Sequence, residues 1–275
     1  MKKETLIGEG REAEVFLWSE NKVLKLFRKD FSTERIDFEY NISELVQKHY
    51  KHAPKVFGKI TVNDREGILY EFIDGNTMNE YISNHPLKVR RFGKCLGILH
   101  ATMHKQKVYK IRDQKPYFEK KIRNISLLTD TQKELIIGYL HGLKDGDSLC
   151  HGDLHPDNVL ISNNNPFVID WANLTIGNRY ADIARTTYLL KKGTDPNAPP
   201  HSAFYIAVAK VFKFIFLKAY LKSYTKILKA SKNAINAWEI VICAVRLIED
   251  ISEEVDYLIK RINQLLKKLK LENSS

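Results

Sequence analysis

His-Gly-Asp-Leu-His-Pro-Asp-Asn-Val-Leu-Ile-Ser-Asn-Asn-Asn-Pro-Phe-Val-Ile-Asp, residues 151–170, decides how this chain is read. Asp153 and Asn158 stand five residues apart, and Asp170 closes the stretch. Between Asn158 and Asp170 lie an apolar run (159–161), a polar turn (162–166) and a second apolar run (167–169). Short apolar runs about an Asn-rich turn predict a β-hairpin. Its return strand would carry Asp170 back beside Asn158. One carboxylate ahead of a paired amide and carboxylate suits phosphoryl transfer, which needs a group for the acceptor hydroxyl and oxygen ligands for Mg²⁺. The competing reading, a Gly/Asp/Asn-rich surface loop, accounts for neither the spacing nor the strand context.

The Asp-x-x-x-x-Asn step matches the protein-kinase catalytic loop His-Arg-Asp-x-x-x-x-Asn. The wording His-Gly-Asp-Leu-His-Pro-Asp-Asn, followed by Ile-Asp-Trp, resembles the aminoglycoside phosphotransferase and choline kinase family of small-molecule kinases, from about Leu6 to Glu254. The resemblance implies one kinase-like domain with a bilobal α+β fold. Residues 1–74 would form a nucleotide-binding lobe, mostly antiparallel β-sheet with one helix. Residues 75–275 would form a larger, mainly helical catalytic and acceptor-binding lobe. The resemblance further implies ATP or GTP with Mg²⁺, and transfer of the γ-phosphate to a hydroxyl of a small molecule such as an antibiotic, an amino alcohol or an amino sugar. Asp153 would act as base or orienter, and Asn158 and Asp170 would hold Mg²⁺. Two departures from protein kinases favour a small acceptor. Only eleven residues separate Asp170 from Asp182, too few for an activation loop, and His155 stands where Ser/Thr kinases keep a phosphate-touching lysine.

Residues 6–16 read as strand, Gly-rich turn and strand, with Gly8 and Gly10 free to bring backbone N–H groups close to phosphate oxygens. Ala13 replaces the third glycine of the kinase pattern, and by the resemblance the stretch from Gly8 to Val15 would cover the phosphates. Lys25 is embedded in the apolar strand Val23-Leu24-Lys25-Leu26-Phe27. A lysine placed among core residues needs an anionic partner, and the kinase scheme offers triphosphate oxygens and a helix glutamate. A helix from Ser32 or Thr33 to Tyr50 carries two candidates, with Glu39 at the edge of the apolar stripe and Glu44 as the alternative. Residues 67–73 read as a buried strand. The resemblance makes it the hinge between lobes, where main-chain groups of Glu71 and Ile73 would meet adenine.

His100 and His104 lie four apart on a predicted helix, half of a metal site with no third ligand close in sequence, so packed, hydrogen-bonded histidines are expected. Asp182 resembles the buried helix-start aspartate that braces the kinase catalytic loop. Glu249, Asp250 and Glu253 belong to the densest acidic cluster and could bind amino groups of a cationic acceptor. The competing reading is a helix surface with internal ion pairs.

The chain has 275 residues, a net charge of +11 and three cysteines without ligand or disulfide spacing. The charge is uneven: residues 1–74 hold 13 basic and 14 acidic side chains, the remainder 31 and 19. Residues 196–238 contain no Asp or Glu, and lysines recur there from Lys210 to Lys232 as on one helix face. That face suits either solvent or an anionic partner. No nucleic-acid motif accompanies it, which weighs against nucleic acid. The opening residues show no leader pattern, and the most apolar region, 203–217, is interrupted by Lys210 and Lys213. A cytoplasmic monomer or weak dimer acting on a small hydroxyl acceptor is expected. The alternatives are a catalytically silent nucleotide-binding regulator and a protein that binds an anionic partner through the 210–232 lysines.

Overall fold

The computed structural model describes residues 5–192 and 203–272; the opening residues 1–4 and residues 196–202 of the acid-free stretch lie outside them. In chain order the elements are β1 (Thr5–Glu9), β2 (Ala13–Ser19), β3 (Lys22–Phe27), α1 (Thr33–His49), β4 (Val56–Val62), β5 (Arg65–Glu71), β6 (Asn76–Thr77), α2 (Met78–Asn84), α3 (Val89–His104), α4 (Gln114–Arg123) and α5 (Asp130–Gly142). Then follow β7 (Ser148–Cys150), β8 (Val159–Ser162), β9 (Asn165–Val168), β10 (Thr175–Gly177), α6 (Arg179–Lys192), α7 (Ala203–Ile227), α8 (Lys232–Asn236), α9 (Glu239–Leu247) and α10 (Ser252–Glu272). They form two compact units, Met1–Asn84 with Pro156–Leu174, and His85–His155 with Thr175–Ser275.

The first unit is built on an antiparallel sheet of order β1-β2-β3-β5-β4. Its β4–β5 hairpin turns through Asn63 and Asp64, both at positive φ, and the β8–β9 hairpin turns through Asn163 and Asn164 in the same way. Two consecutive left-handed residues match the right-handed twist of the flanking strands, and Asn and Asp tolerate that conformation best after glycine. Helix α1 starts where the Ser32 side chain accepts from the Arg35 amide at 3.4 Å. Its inner face, Ile36, Ile42 and Val46, is buried, and Ile36 joins Ala13, Phe27, Val56 and Ile68 in the core of this unit.

The second unit is mainly helical. One of its cores gathers side chains of α4, α5, α6, α9 and α10 around Ile136, Leu140, Val241, Ala244 and Ile262. A separate seam joins α3 to α7. A Cβ added at Gly93 would fall 2.5 Å from the Phe216 carbonyl oxygen, and one at Gly97 would fall 2.3 Å from that of Tyr220. Glycine is what lets these two backbones touch. Gly93 meets Phe216, Gly97 meets Tyr220 and His104 meets Tyr224, so contacts climb both chains together and the helices run parallel.

Candidate active site

In the first unit, strand register aligns Gly8 with Val15 across β1–β2 and Val15 with Lys25 across β2–β3. Neither Gly8 nor Gly10 has positive φ, and a Cβ at either would make only ordinary contacts, the nearest at 3.5 Å. The fold itself therefore does not demand glycine at either position. Lys25 Nζ donates to Glu39 Oε1 at 2.7 Å and lies 3.6 Å from Asp170 Oδ1. Glu39, 5% exposed at its side chain, also accepts from Tyr70 Oη at 3.1 Å. Glu44 lies on the same helix, but Lys25 makes its ion pairs with Glu39 and Asp170. Burial pulls the Lys25 ammonium down, but Glu39 and Asp170 outweigh it and hold it charged, above its ordinary range. At the end of β5 the Glu71 amide donates to the Lys55 carbonyl at 2.8 Å, and Ile73 is buried.

Asn158 ends a short 3₁₀ turn, Pro156–Asn158, that leads into β8, and its side chain is buried. Val159 pairs with Val168 across the hairpin, and the Ile169 amide donates to the Asn158 carbonyl at 3.0 Å. The residue after Ile169 is thereby delivered to the strand end that Asn158 opens. Asp170 sits in the left-handed region, φ 62 and ψ 67, with its carboxylate 45% exposed. A non-glycine residue held there carries backbone strain of the kind that gathers at functional sites. An exposed carboxylate, a neighbouring amide residue and a charged lysine form a donor set of hard oxygens flanked by a phosphate-type cation. That set fits Mg²⁺ and a polyphosphate.

In the second unit, Asp153 Oδ1 accepts from Arg185 Nη2 at 2.8 Å, and His155 Nε2 stands 3.7 Å from Oδ2. Burial pushes the Asp153 carboxyl up, but the Arg185 guanidinium, with His155, holds it well below the usual carboxylate range. Such an ionised carboxylate is a weak base. It is well suited to accept a hydrogen bond from a hydroxyl and to take its proton only late. The loop that carries it is anchored by Asp182, whose oxygens accept from the His151 amide at 2.6 Å and the Gly152 amide at 2.9 Å.

Asp182 is buried among His100 and His104, which donate to it through Nε2 at 3.0 and 3.2 Å. Each histidine accepts at Nδ1 from a tyrosine, Tyr220 and Tyr224, both at 2.8 Å. An ionised carboxylate only accepts, so each imidazole carries a proton on Nε2. His100, His104 and Asp182 bring ligand-type atoms within 4.8 Å of one another, but every ring nitrogen already has a partner. The trio is a brace for the loop. The carboxylate missing near the histidines in sequence arrives from 78 residues further on.

The acidic cluster straddles the turn between α9 and α10. Glu249 accepts from Arg185 Nη2 at 2.5 Å and pairs with Arg246, while buried Glu254 accepts from Arg246 Nε and from Tyr188 Oη, each at 2.8 Å. Asp250 and Glu253 are exposed. Sequence reasoning passed over Arg185 and Arg246. The signal was present in both, an arginine flanked by residues that pack in helices: Ile183 and Ala184 in one case, Val245 and Leu247 in the other.

A model of the phosphotransferase enzyme family matches residues 3–203. A protein LicA homolog of Mycoplasma capricolum subsp. capricolum is 21% identical over 150 residues, 54% of this chain. The match spans 59% of that relative's length. Among solved structures, amicoumacin kinase hAmiN in complex with AMP-PNP, Ca²⁺ and Ami superposes with a TM-score of 0.63 at 17% identity, covering 96% of this chain and 88% of that one. Aminoglycoside phosphotransferase APH(4)-Ia with AMP-PNP and hygromycin B gives 0.64 at 12%, covering 97% and 93%. A choline/ethanolamine kinase family protein from Mesorhizobium loti gives 0.55 at 14%, covering 96% and 87%. At these identities the likeness is one of fold, and the fold is the bilobal, protein-kinase-like α+β arrangement.

Proposed function

From the premise that this chain belongs to the phosphotransferase enzyme family, we propose that it moves the γ-phosphate of ATP or GTP to a hydroxyl of a small molecule. The observation that carries this reading is the Lys25–Glu39–Asp170 array, with Asn158 joined to the same hairpin through the Ile169 amide. The nucleotide-binding portion would be residues 1–74, and the catalytic and acceptor-binding portion 75–275. Asn158 and Asp170 would hold Mg²⁺, which when bound neutralises charge on the phosphate oxygens. Lys25, kept ionised and aimed by Glu39, binds phosphate. The 8–15 loop, glycine at 8 and 10, lays backbone N–H groups over it. Glu71 and Ile73 meet the base through main-chain groups.

Asp153 orients the acceptor hydroxyl and receives its proton once the oxygen has begun to bond to phosphorus. Because the transition state of phosphoryl transfer is loose, positioning and charge neutralisation supply most of the acceleration. Glu249 has its carboxylate engaged by two arginines, which leaves Asp250 and Glu253 as the exposed acidic groups for an acceptor's ammonium. The relatives support a small acceptor, since their names speak of amicoumacin, hygromycin B and choline or ethanolamine.

A coupled ADP-release screen of the purified protein against aminoglycosides, amicoumacin-like and macrolide antibiotics, choline, ethanolamine and amino sugars tests the reading. It predicts acceptor-dependent turnover that requires Mg²⁺. Nucleotide binding with no turnover on any hydroxyl would favour the silent regulator instead.

A further inference from the structure

Two stretches of this chain contain no Asp or Glu, residues 81–112 and residues 196–238. They are more than eighty residues apart in sequence, and the fold lays them side by side as α3 and α7. Along the seam the Ser223 hydroxyl donates to the Lys94 carbonyl at 3.1 Å, and Gly93 and Gly97 keep the two backbones in contact.

Each helix advances 100° per residue, which fixes where its exposed side chains lie relative to the seam. On α3 the seam residues Gly93, Gly97, His100 and His104 are followed round the helix by Arg90, Lys94 and Lys105, all exposed. On α7 the seam residues Phe216, Ala219, Tyr220 and Ser223 are bordered by Lys222 and Lys226, then Lys218, also exposed. Because the helices run parallel, these two borders open to the same side. The outer face of the pair is one basic surface without an acidic side chain on either helix. Among the described residues, no ion pair involves Lys94, Lys218, Lys222 or Lys226.

The same face carries large apolar side chains held out in solvent. Leu87, in the turn that enters α3, is 93% exposed; Phe214 is 63%, Val211 57% and Ile98 47%. The parallel pairing places Leu87 level with the start of the described α7 surface. Exposed apolar side chains ringed by Lys and Arg are what an interfacial surface needs: cations for anionic headgroups, and hydrocarbon to enter the headgroup layer. A nucleic-acid surface gains from the cations but has no use for Leu87 and Val211. We propose that the outer face of the α3–α7 pair is a docking surface for an anionic lipid bilayer, against which the protein lies peripherally.

The test is co-sedimentation of the full chain with vesicles of phosphatidylcholine alone and of phosphatidylcholine with phosphatidylglycerol, with duplex DNA in a parallel arm. The expected result is binding to the anionic vesicles, little to the neutral ones, and steady loss with added NaCl. Reversing Lys94, Lys218, Lys222 and Lys226 to Glu should weaken vesicle binding on the order of 10²-fold or more, given the contribution of each cation at an anionic surface. Reversing Lys120, Lys144, Lys260 and Lys267, exposed elsewhere in the same unit, changes net charge equally and should cost far less. Phe214→Ser should weaken vesicle binding several-fold while leaving acceptor-dependent turnover and Tm in place. Failure to bind anionic vesicles, equal loss in both charge-reversal sets, or tighter binding to DNA than to vesicles would each overturn the proposal.

Discussion

A single nitrogen of Arg185, Nη2, serves two carboxylates, Asp153 Oδ1 at 2.8 Å and Glu249 Oε1 at 2.5 Å. The guanidinium is buried, and its Nε and Nη1 find no hydrogen-bond partner among the described residues. Burial alone would lower its pKa, but Glu249 and Asp153 raise it further, so it stays a cation. The proposed acceptor-orienting carboxylate is thus tied through one buried charge to the C-terminal end of α9.

Arg185→Met should therefore cost both stability and turnover. Removing one member of a buried charged cluster leaves its partners uncompensated, a loss of about 3–5 kcal/mol, read by urea denaturation. The pH profile separates positioning from folding. Arg185 holds the Asp153 pKa down, so the wild-type carboxylate stays ionised well below pH 4 and its contribution is lost only as pH falls further. In Arg185→Met the acidic limb of kcat should move up toward the ordinary Asp range near 4. A limb that stays in place would separate Arg185 from the charge state of Asp153.

Lys25 and Glu39 should behave as one unit. Lys25→Ala should weaken nucleotide use sharply, and Glu39→Ala should cost less, since the ammonium keeps Asp170 at 3.6 Å. A double-mutant cycle in ATP-dependent turnover should give a double cost well short of the sum. Glu44→Ala is the control and should add independently. Additivity with Glu39 alongside coupling with Glu44 would transfer the role.

Asn158→Ala and Asp170→Ala should each raise the Mg²⁺ concentration needed for half-maximal rate, Asp170 more severely. A carboxylate neutralises charge as well as coordinating, whereas an amide only coordinates. A metal titration of turnover reads this directly, and an unchanged requirement in Asp170→Ala would remove that residue from the metal.

Acid should loosen the brace behind the loop. Burial first, and the neighbouring His100 second, lower the His104 pKa to about 4, against Asp182, which favours the cation. The folded state therefore resists a proton that the unfolded chain binds near pH 6.5, and stability falls as pH drops from there to about 4. The full effect is on the order of 3 kcal/mol. Tm followed over that window should fall in the wild type and fall less steeply in His104→Asn. Equal slopes would place the acid sensitivity elsewhere.

The legible parts of this protein are those written within short spans of sequence. The Asn-rich turn at Asn163–Asn164, the Ser32 cap of α1, the embedded Lys25 and the Asp153–Asn158 spacing each depend on neighbours within a few positions. Long-range pairings were harder to read. Asp182 reaches two histidines 78 and 82 residues earlier, Arg185 meets Glu249 64 residues later, and the α3–α7 seam joins residues 129 apart. Periodicity can mark Gly93 and Gly97 as lying on one face, but not which backbone they admit. Nor does it distinguish Glu249, consumed by two arginines, from its exposed neighbours Asp250 and Glu253.

The central claim is that Asp153 acts on the acceptor and not on the nucleotide. The measurement that tests it is γ-phosphate transfer to the acceptor found in the screen, made in parallel with equilibrium binding of a non-hydrolysable ATP analogue, for wild type and Asp153→Ala. The expected result is a loss of roughly 10²–10⁴ in turnover, the usual scale of a general acid–base group, with analogue affinity nearly unchanged. Collapse of analogue binding, or turnover close to wild type, would contradict it.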